Sequence, residues 1–387
     1  MSEYQYYEFL AIDRPLDAGE MAELRAVSSR AYITATGFVN HYDWGDLKAA
    51  PLDWMERYFD ASLYLANWGT QEFMLRFPRR VLGLDTVAPY CGGDAAFAEV
   101  RGDAVILGFT SEEEPGDDWD DGSGWLSSLI PLRADIAGGD HRALYLAWLL
   151  CAERGEFGDD ATEPPVPPGL GKLTAPLEAF ADFLRIDGDL IAVAAERSLD
   201  ASDEANSVQD QDLEPWLAAL PEADKTGYLV RLAAGDGLHL RAELLQRYGR
   251  ERQIPEAGAA PGARSVAALL AAAKARAAER QRRAAEAEAR ERARREREEA
   301  ERRARYLDQL AAREAETWRE VDALVAAKLP SDYDRAVRLL GDLRDLGARE
   351  GRTAEVAARI GALQGRHARK SSFLRRLEEA GLAQTVP

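Results

Sequence analysis

Apolar positions recur at two different periods along the first 160 residues, and the changes of period mark out the elements. "YQYYEFLAI" (4–12) is aromatic and β-rich, which predicts a strand. "DAGEMAELRAVSS" follows with Asp17 and Glu20 spaced as a capping box and Met21, Leu24 and Val27 at helical spacing. "YITATGFVNHYDW" reads as a second strand, and "PLDWMERYFD" as a short helix opening on proline. Two hairpins are expected next. One joins "SLYLANW" to "QEFMLRF" around "NWGT", the other "AAFAEV" to "AVILGF" around Arg101-Gly102-Asp103. An acidic loop, "SEEEPGDDWDDGSG", then leads to a further strand and to an apolar helix over 142–152. This order predicts an α+β domain over residues 1–157 with a ferredoxin-like start.

Beyond residue 157 the text turns helical. "GEFGDDATEPPVPPGLG" breaks both periods, so residues 158–171 read as a linker or a surface loop. Residues 172–252 form a helical subdomain, and "PEAGAAPGAR" makes a second linker over 253–263. From 264 to 328 there is hardly anything to interrupt a helix, and alanine, arginine and glutamate dominate. Glutamate stands four residues before arginine at 279/283, 286/290, 288/292, 298/302, 299/303 and 301/305. Each such pair adds about 0.2–0.5 kcal/mol, enough in sum to hold a solvated helix. At 1.5 Å per residue a helix of that length is roughly 95 Å long. Alanine supplies only a thin coiled-coil seam through Ala268, Ala271, Ala275 and Ala278. A better seam runs through Ala304, Leu307, Ala311, Trp318, Val321 and Val325. The expectation is a single solvated helix, with a dimerising coiled coil or a helix lying along the acidic domain as the alternatives. Residues 329–387 then carry short amphipathic segments, such as Ala336, Leu339, Leu340, Leu343 and Leu346 on one face, and predict a small helical bundle.

Charge divides the chain in the same place. The net charge is −19, but residues 264–387 hold 28 basic and 21 acidic side chains, leaving 21 and 47 for residues 1–263. An acidic body carries a basic arm, and the body repels nucleic acid and acidic membranes. Cys91 and Cys151 stand in unrelated contexts, which fits a reducing compartment and excludes a cysteine zinc cage. The opening residues lack a basic start and an apolar core, and the run "RALYLAWLLCA" is too short to span a bilayer. A cytoplasmic protein without a membrane partner is expected.

The stretch "TWREVDALVAAKLPSDYDRAVRLLGDLRDLGAREG…RHARKSSFLRRLEEAGL" resembles the C-terminal region of uncharacterised proteins from high-GC bacteria, some of which also bear a SWIM-type zinc finger. "YQYYEFLAIDRPL" and "FVNHYDWGD" resemble the opening of such proteins. The SWIM finger needs a Cys-x-Cys pair followed by Cys-x-His, so that module is absent here. The resemblance implies a bacterial family and transfers no catalytic residues.

Candidate chemistry is sparse. In "GFVNHYDWGD" a strand would place Phe38, Asn40, Tyr42 and Trp44 on one face and Val39, His41 and Asp43 on the other. A carboxylate beside histidine can fix its tautomer for general-base work, so His41 and Asp43 are the catalytic candidates, set against a plain polar pair at a sheet edge. His41, His141, His239 and His367 show no metal-ligand spacing, and neither a metal nor another cofactor is expected. Gly-Gly-Asp occurs at 92–94 and 138–140. With Asp13 at a strand end it mimics a two-metal palm motif, but it is equally a good turn. The acidic loop fails the EF-hand pattern: counted from Asp117, position 3 is Trp119 and position 12 is Ser128. Arg366, Arg369, Lys370, Arg375 and Arg376 cluster in "RHARKSSFLRR" and are the candidate interaction residues. The sequence therefore predicts a non-enzymatic interaction or scaffold protein, its partner another protein or a second copy bound through residues 264–328. The alternatives are a nucleic-acid-associated protein using the basic arm and an enzyme centred on His41 and Asp43.

Overall fold

A computed structural model describes residues 3–112, 120–198, 210–233, 240–251, 263–327 and 329–383. The fold is α+β: an antiparallel sheet with helices on both faces, followed by an all-helical region. The chain divides into two separately packed units, Met1–Arg280 and Gln281–Pro387.

The first unit begins β1 (Gln5–Leu10), α1 (Ala18–Val27), β2 (Tyr32–Thr34), β3 (Gly37–Tyr42), α2 (Pro51–Arg57), β4 (Ala61–Ala66). These strands lie in the order β2-β3-β1-β4, every neighbour antiparallel, which is the ferredoxin-like arrangement. The hairpins β4/β5 (Thr70–Pro78) and β6 (Ala96–Arg101)/β7 (Ala104–Glu112) extend the sheet to seven strands, with the short α3 (Leu84–Val87) between them. The predicted capping box is present: the Asp17 carboxylate accepts the Glu20 N–H at 2.8 Å and Glu20 accepts the Asp17 N–H at 2.9 Å.

Both faces of the sheet are covered, which is why its strands read as aromatic on both sides. On one face Phe9, Phe38 and Met74 pack with Leu24 of α1 and Trp54 and Met55 of α2. On the other, Leu63, Phe73, Leu75 and Phe109 meet α4 (Trp125–Leu129), α5 (Pro131–Ala137), α6 (Arg142–Glu153) and α7 (Ala175–Leu184). Helix α8 (Gly188–Ala195) adds Leu190 and Val193 to that core. Further on lie α9 (Asp210–Ala219), α10 (Glu222–Ala233) and α11 (Leu240–Glu251).

Several expectations are corrected. "YITATGFVNHYDW" is a hairpin, not one strand. It bends at Ala35-Thr36, where Leu16 and Ala11 donate backbone hydrogen bonds to those two carbonyls and Thr36 N–H binds Thr34 Oγ1. The strand expected before the apolar helix is replaced by α4 and α5, the second opening on Pro131. Residues 158–171 are not a free linker. Glu163, Pro164, Pro167 and Leu170 are buried, and Ala161–Glu163 pairs with Arg264–Val266 through an isolated β-bridge and flanking hydrogen bonds. Helices α7 and α8, expected in a separate subdomain, share the core of the sheet because each has a wide apolar face. The expected linker 253–263 lies outside the described residues except for Ala263.

The long helix expected over 264–328 is two helices, α12 (Val266–Ala312) and α13 (Glu314–Ala327). They meet at Arg313, whose carbonyl accepts both the backbone N–H and Oγ1 of Thr317. Val266, Leu269 and Ala273 belong to the first core. Leu307 and Leu310 belong to the second. Residues 281–302 are exposed except for half-buried Glu291. There Glu286–Arg290, Glu288–Arg292 and Glu301–Arg305 pair as their spacing predicts. Arg303 instead reaches Asp342 and Asp345, each at 2.6 Å.

In the second unit α13 packs on α14 (Pro330–Arg349), which also meets α15 (Thr353–Arg366) and α16 (Ser371–Glu379). Trp318, Val321, Leu340, Ile360 and Phe373 fill its core, so the better of the two coiled-coil seams is used within the chain. Among the described residues no helix is long and apolar enough to cross a membrane.

Candidate functional site

The alternation predicted for "GFVNHY" holds within β3. Phe38, Asn40 and Tyr42 face the α1/α2 side, and Val39 and His41 face the other. His41 pairs across the sheet with Tyr6 of β1, and its row continues through Leu65 and Gln71 to Ser111. One strand over, Tyr32 of β2 stands opposite Val39, and Glu8 flanks Val39 on β1. Helices α4, α6 and α7 on this face pack against β4 to β7. The β2-β3 edge is more open: Tyr32 is 72% exposed and His41 is exposed, while Tyr6 of β1 is buried and Glu8 half-buried.

His41 stacks on Tyr4, ring centroids 6.1 Å apart at an interplanar angle of 23°. The Tyr4 hydroxyl donates to the Asp121 carbonyl at 2.9 Å. The neighbouring turn lies close because Gly122, at φ +81°, has no Cβ; one would stand 2.6 Å from the Tyr6 ring. Partial burial, then Asp121, Asp43 and Asp120, push the Tyr4 phenol above its ordinary range. Burial and Glu8, which accepts the Tyr6 hydroxyl at 3.0 Å, raise Tyr6 further. Burial also lifts the Glu8 carboxyl, against the opposing pull of Tyr6. Asp43 lies past the end of β3, and among the described residues no hydrogen bond or ion pair joins it to His41. The pair singled out from sequence is thus a stacked imidazole with a carboxylate nearby, lacking the contact that would orient a general base.

The opposite face at the same end carries a polar network. Tyr7 donates to Asp46 at 2.7 Å, Tyr64 donates to Gln5 at 2.9 Å, and Gln5 Nε2 donates to the Gly45 carbonyl at 2.7 Å. Burial raises Tyr64 to about 12 and lifts the Glu72 carboxyl beside it. Trp44, between the Asp43 and Asp46 carboxylates in sequence, is 76% exposed rather than on the Phe38 face.

The other sequence candidates have structural duties. Asp13 receives a bidentate pair from buried Arg133, both bonds 2.8 Å, and Asp60 accepts the Ile12 and Asp13 N–H groups and Arg76. Asp13 is thereby neutralised rather than free for a cation. Asp140 accepts the Arg142 N–H at 3.0 Å and pairs with its guanidinium. Asp120 caps Gly122 and Trp125, and Asp121 caps Ser123, while Asp117 and Asp118 lie outside the described residues. His141 contacts Tyr90, and His239 also lies outside the described residues. Among the described residues no three of His, Cys, Asp and Glu gather as a metal site.

In the second unit Arg366 pairs with Asp322 and Arg376 with Asp334, at 2.7 and 2.6 Å. Arg375 lies 3.7 Å from Glu379, and Lys370 donates to the Val325 carbonyl. Arg369 has no ion-pair partner among the described residues. It lines an open depression with Lys370, Ser371, Ser372 and Tyr333 at the start of α16. Burial, Lys370 and Arg366 lower His367. The predicted basic cluster is therefore largely an intramolecular ion-pair set.

Sequence reasoning did not single out Tyr4, Tyr32 and Glu8. Their signal was the period-2 pattern of "YQYYEFL", in which Tyr4, Tyr6 and Glu8 share a face, but only strand pairing brings Tyr32 and His41 beside them. Compared with protein-family models, curated proteins and solved structures, the chain matches none.

Proposed function

We propose that this chain is a non-enzymatic interaction protein, whose charged helix joins two separately cored binding modules. One observation carries the reading: α12 places apolar side chains in both cores, yet its residues 281–302 are solvated and carry local ion pairs such as Glu288–Arg292 and Glu291–Arg295. A segment that spends 22 residues without burying a side chain adds nothing to either core. Its remaining use is as a connector or as a surface for a partner or a second copy.

Deleting residues 284–301 tests this. Eighteen residues are five helical turns, so the helix keeps its phase and shortens by about 27 Å. With labels in each unit, a connector predicts a distance that falls by up to that amount while the unfolding of each unit stays unchanged. An unchanged distance would sink the connector role. A dimer by light scattering that the deletion converts to monomer would make the same segment an assembly element.

Nucleic-acid association is the second reading, and it rests on Arg369 having no ion-pair partner among the described residues. A salt-sensitive mobility shift abolished by Arg369→Ala would favour it.

A further inference from the structure

The open end of the sheet face has a composition with a specific chemistry. Tyr32 and Glu8 flank Val39 on the strands to either side of β3, two residues from His41, which stacks on Tyr4; Asp43 and Asp121 act on Tyr4. Asp121, Asp43 and Asp120 act on Tyr4, and Glu8 is the foremost charge acting on Tyr6 of β1. An aromatic platform beside carboxylates attracts a planar cation twice, through the ring quadrupole and through bidentate ion pairing. Phosphate-bearing ligands are repelled by the same charges. Tyr32, His41 and Glu8 stand on strands, which limits the ordering cost of binding there.

We propose that the β2-β3-β1 face is a docking surface for an arginine-bearing peptide segment of a partner protein, with Tyr32, Tyr4 and His41 stacking its guanidinium groups and Glu8 and Asp43 pairing with them. This deepens the interaction-protein reading and rests on it by supplying the partner chemistry of the first unit. The charge complementarity selects the occupant: an apolar helix would leave Glu8 and Asp43 unpaired, and an acidic segment would be expelled.

The test uses the full-length protein and a fluorescein-labelled peptide of four arginines alternating with glycine, read by anisotropy at low and moderate salt. Binding should weaken with salt, exceed that of the lysine counterpart, and fall roughly two- to five-fold in Tyr32→Ala, as loss of one exposed cation–π contact predicts. Glu8→Gln should weaken it comparably. Asp135→Asn, on the far helix α5, should not. No binding, equal losses in all three variants, or full binding in Tyr32→Ala and Glu8→Gln would each overturn the assignment. A single-stranded RNA oligomer that binds and is lost in Tyr32→Ala would overturn it as well. The deletion of 284–301 leaves this face intact. Failure of peptide binding with a normal change in inter-unit distance therefore refutes the docking surface and spares the connector.

Discussion

The root of α12 in the first unit depends on a buried charge triad, and breaking it should be costly. Glu163 is 2% exposed and accepts from three donors: the Tyr145 hydroxyl, Arg264 Nη2 at 2.6 Å and Arg264 Nε at 2.9 Å. Arg264 Nη1 also donates to the Val193 carbonyl at 2.8 Å. Burial pulls the Arg264 guanidinium down, but Glu163 and Tyr145 more than reverse this, so it is held above its ordinary value. Glu163→Gln preserves shape and one acceptor while leaving a guanidinium that is 12% exposed without its counter-charge. Removing one partner of a buried pair costs about 3–5 kcal/mol. Because Val193 and the new amide oxygen still accept from Arg264, the lower end, about 3 kcal/mol, is expected. Arg264→Met strands the more deeply buried carboxylate and should cost more. The double variant Glu163→Leu/Arg264→Met, removing both charges, should cost less than the sum of its single variants by about 1–3 kcal/mol. Urea unfolding followed by tryptophan fluorescence isolates the effect, since seven of the eight tryptophans lie in residues 1–280. A Glu163→Gln variant within about 0.5 kcal/mol of wild type, outside the range for losing a buried pair, would refute the triad as the anchor. Strict additivity in the double variant would do the same.

Two further outcomes follow from titratable groups. Arg14 and the Asp17 N–H hold Glu20 down at about 2, so its contribution is fully present above its unfolded value near 4.5 and is lost as pH falls toward 2. Urea midpoints between pH 6 and pH 2 should show Glu20→Gln approaching wild type only at the acid end; a constant difference across that range would contradict the assignment. Burial pushes the Cys91 thiol up to about 12 and Cys151 higher still. Both thiols should therefore resist Ellman's reagent in the native chain at pH 8 and react at once on unfolding, and fast native labelling would show that their burial is overstated.

Much of the architecture was legible because it is encoded locally. The Asp17 capping box, the "NWGT" and Arg101-Gly102-Asp103 hairpins and the alternation through Phe38, Val39 and His41 need only nearest neighbours along the chain. The same holds for the charged helix, whose Glu/Arg spacing and lack of glycine and proline stabilise it without a core. Where long-range contacts compete, local pattern lost its authority. Residues 158–171 look like a linker by composition, yet the bridge to Ser265 and the Glu163–Arg264 pair fix them against the body. The long helix breaks at Arg313, and beyond it α13 buries Trp318, Val321 and Val325 in the core of the second unit.

The candidate site divides along the same line. By itself, the sequence determined that His41 lies on a strand with Val39 on its face, and that the first unit is acidic. Only the tertiary structure placed Asp43 beyond that strand, brought Tyr4 against His41 and paired Tyr32 opposite Val39 on the exposed β2 edge. Strand periodicity fixes which face a residue occupies, but not which strands pair or which part of a face the helices cover. Those depend on where apolar surface across the whole unit is best removed from water.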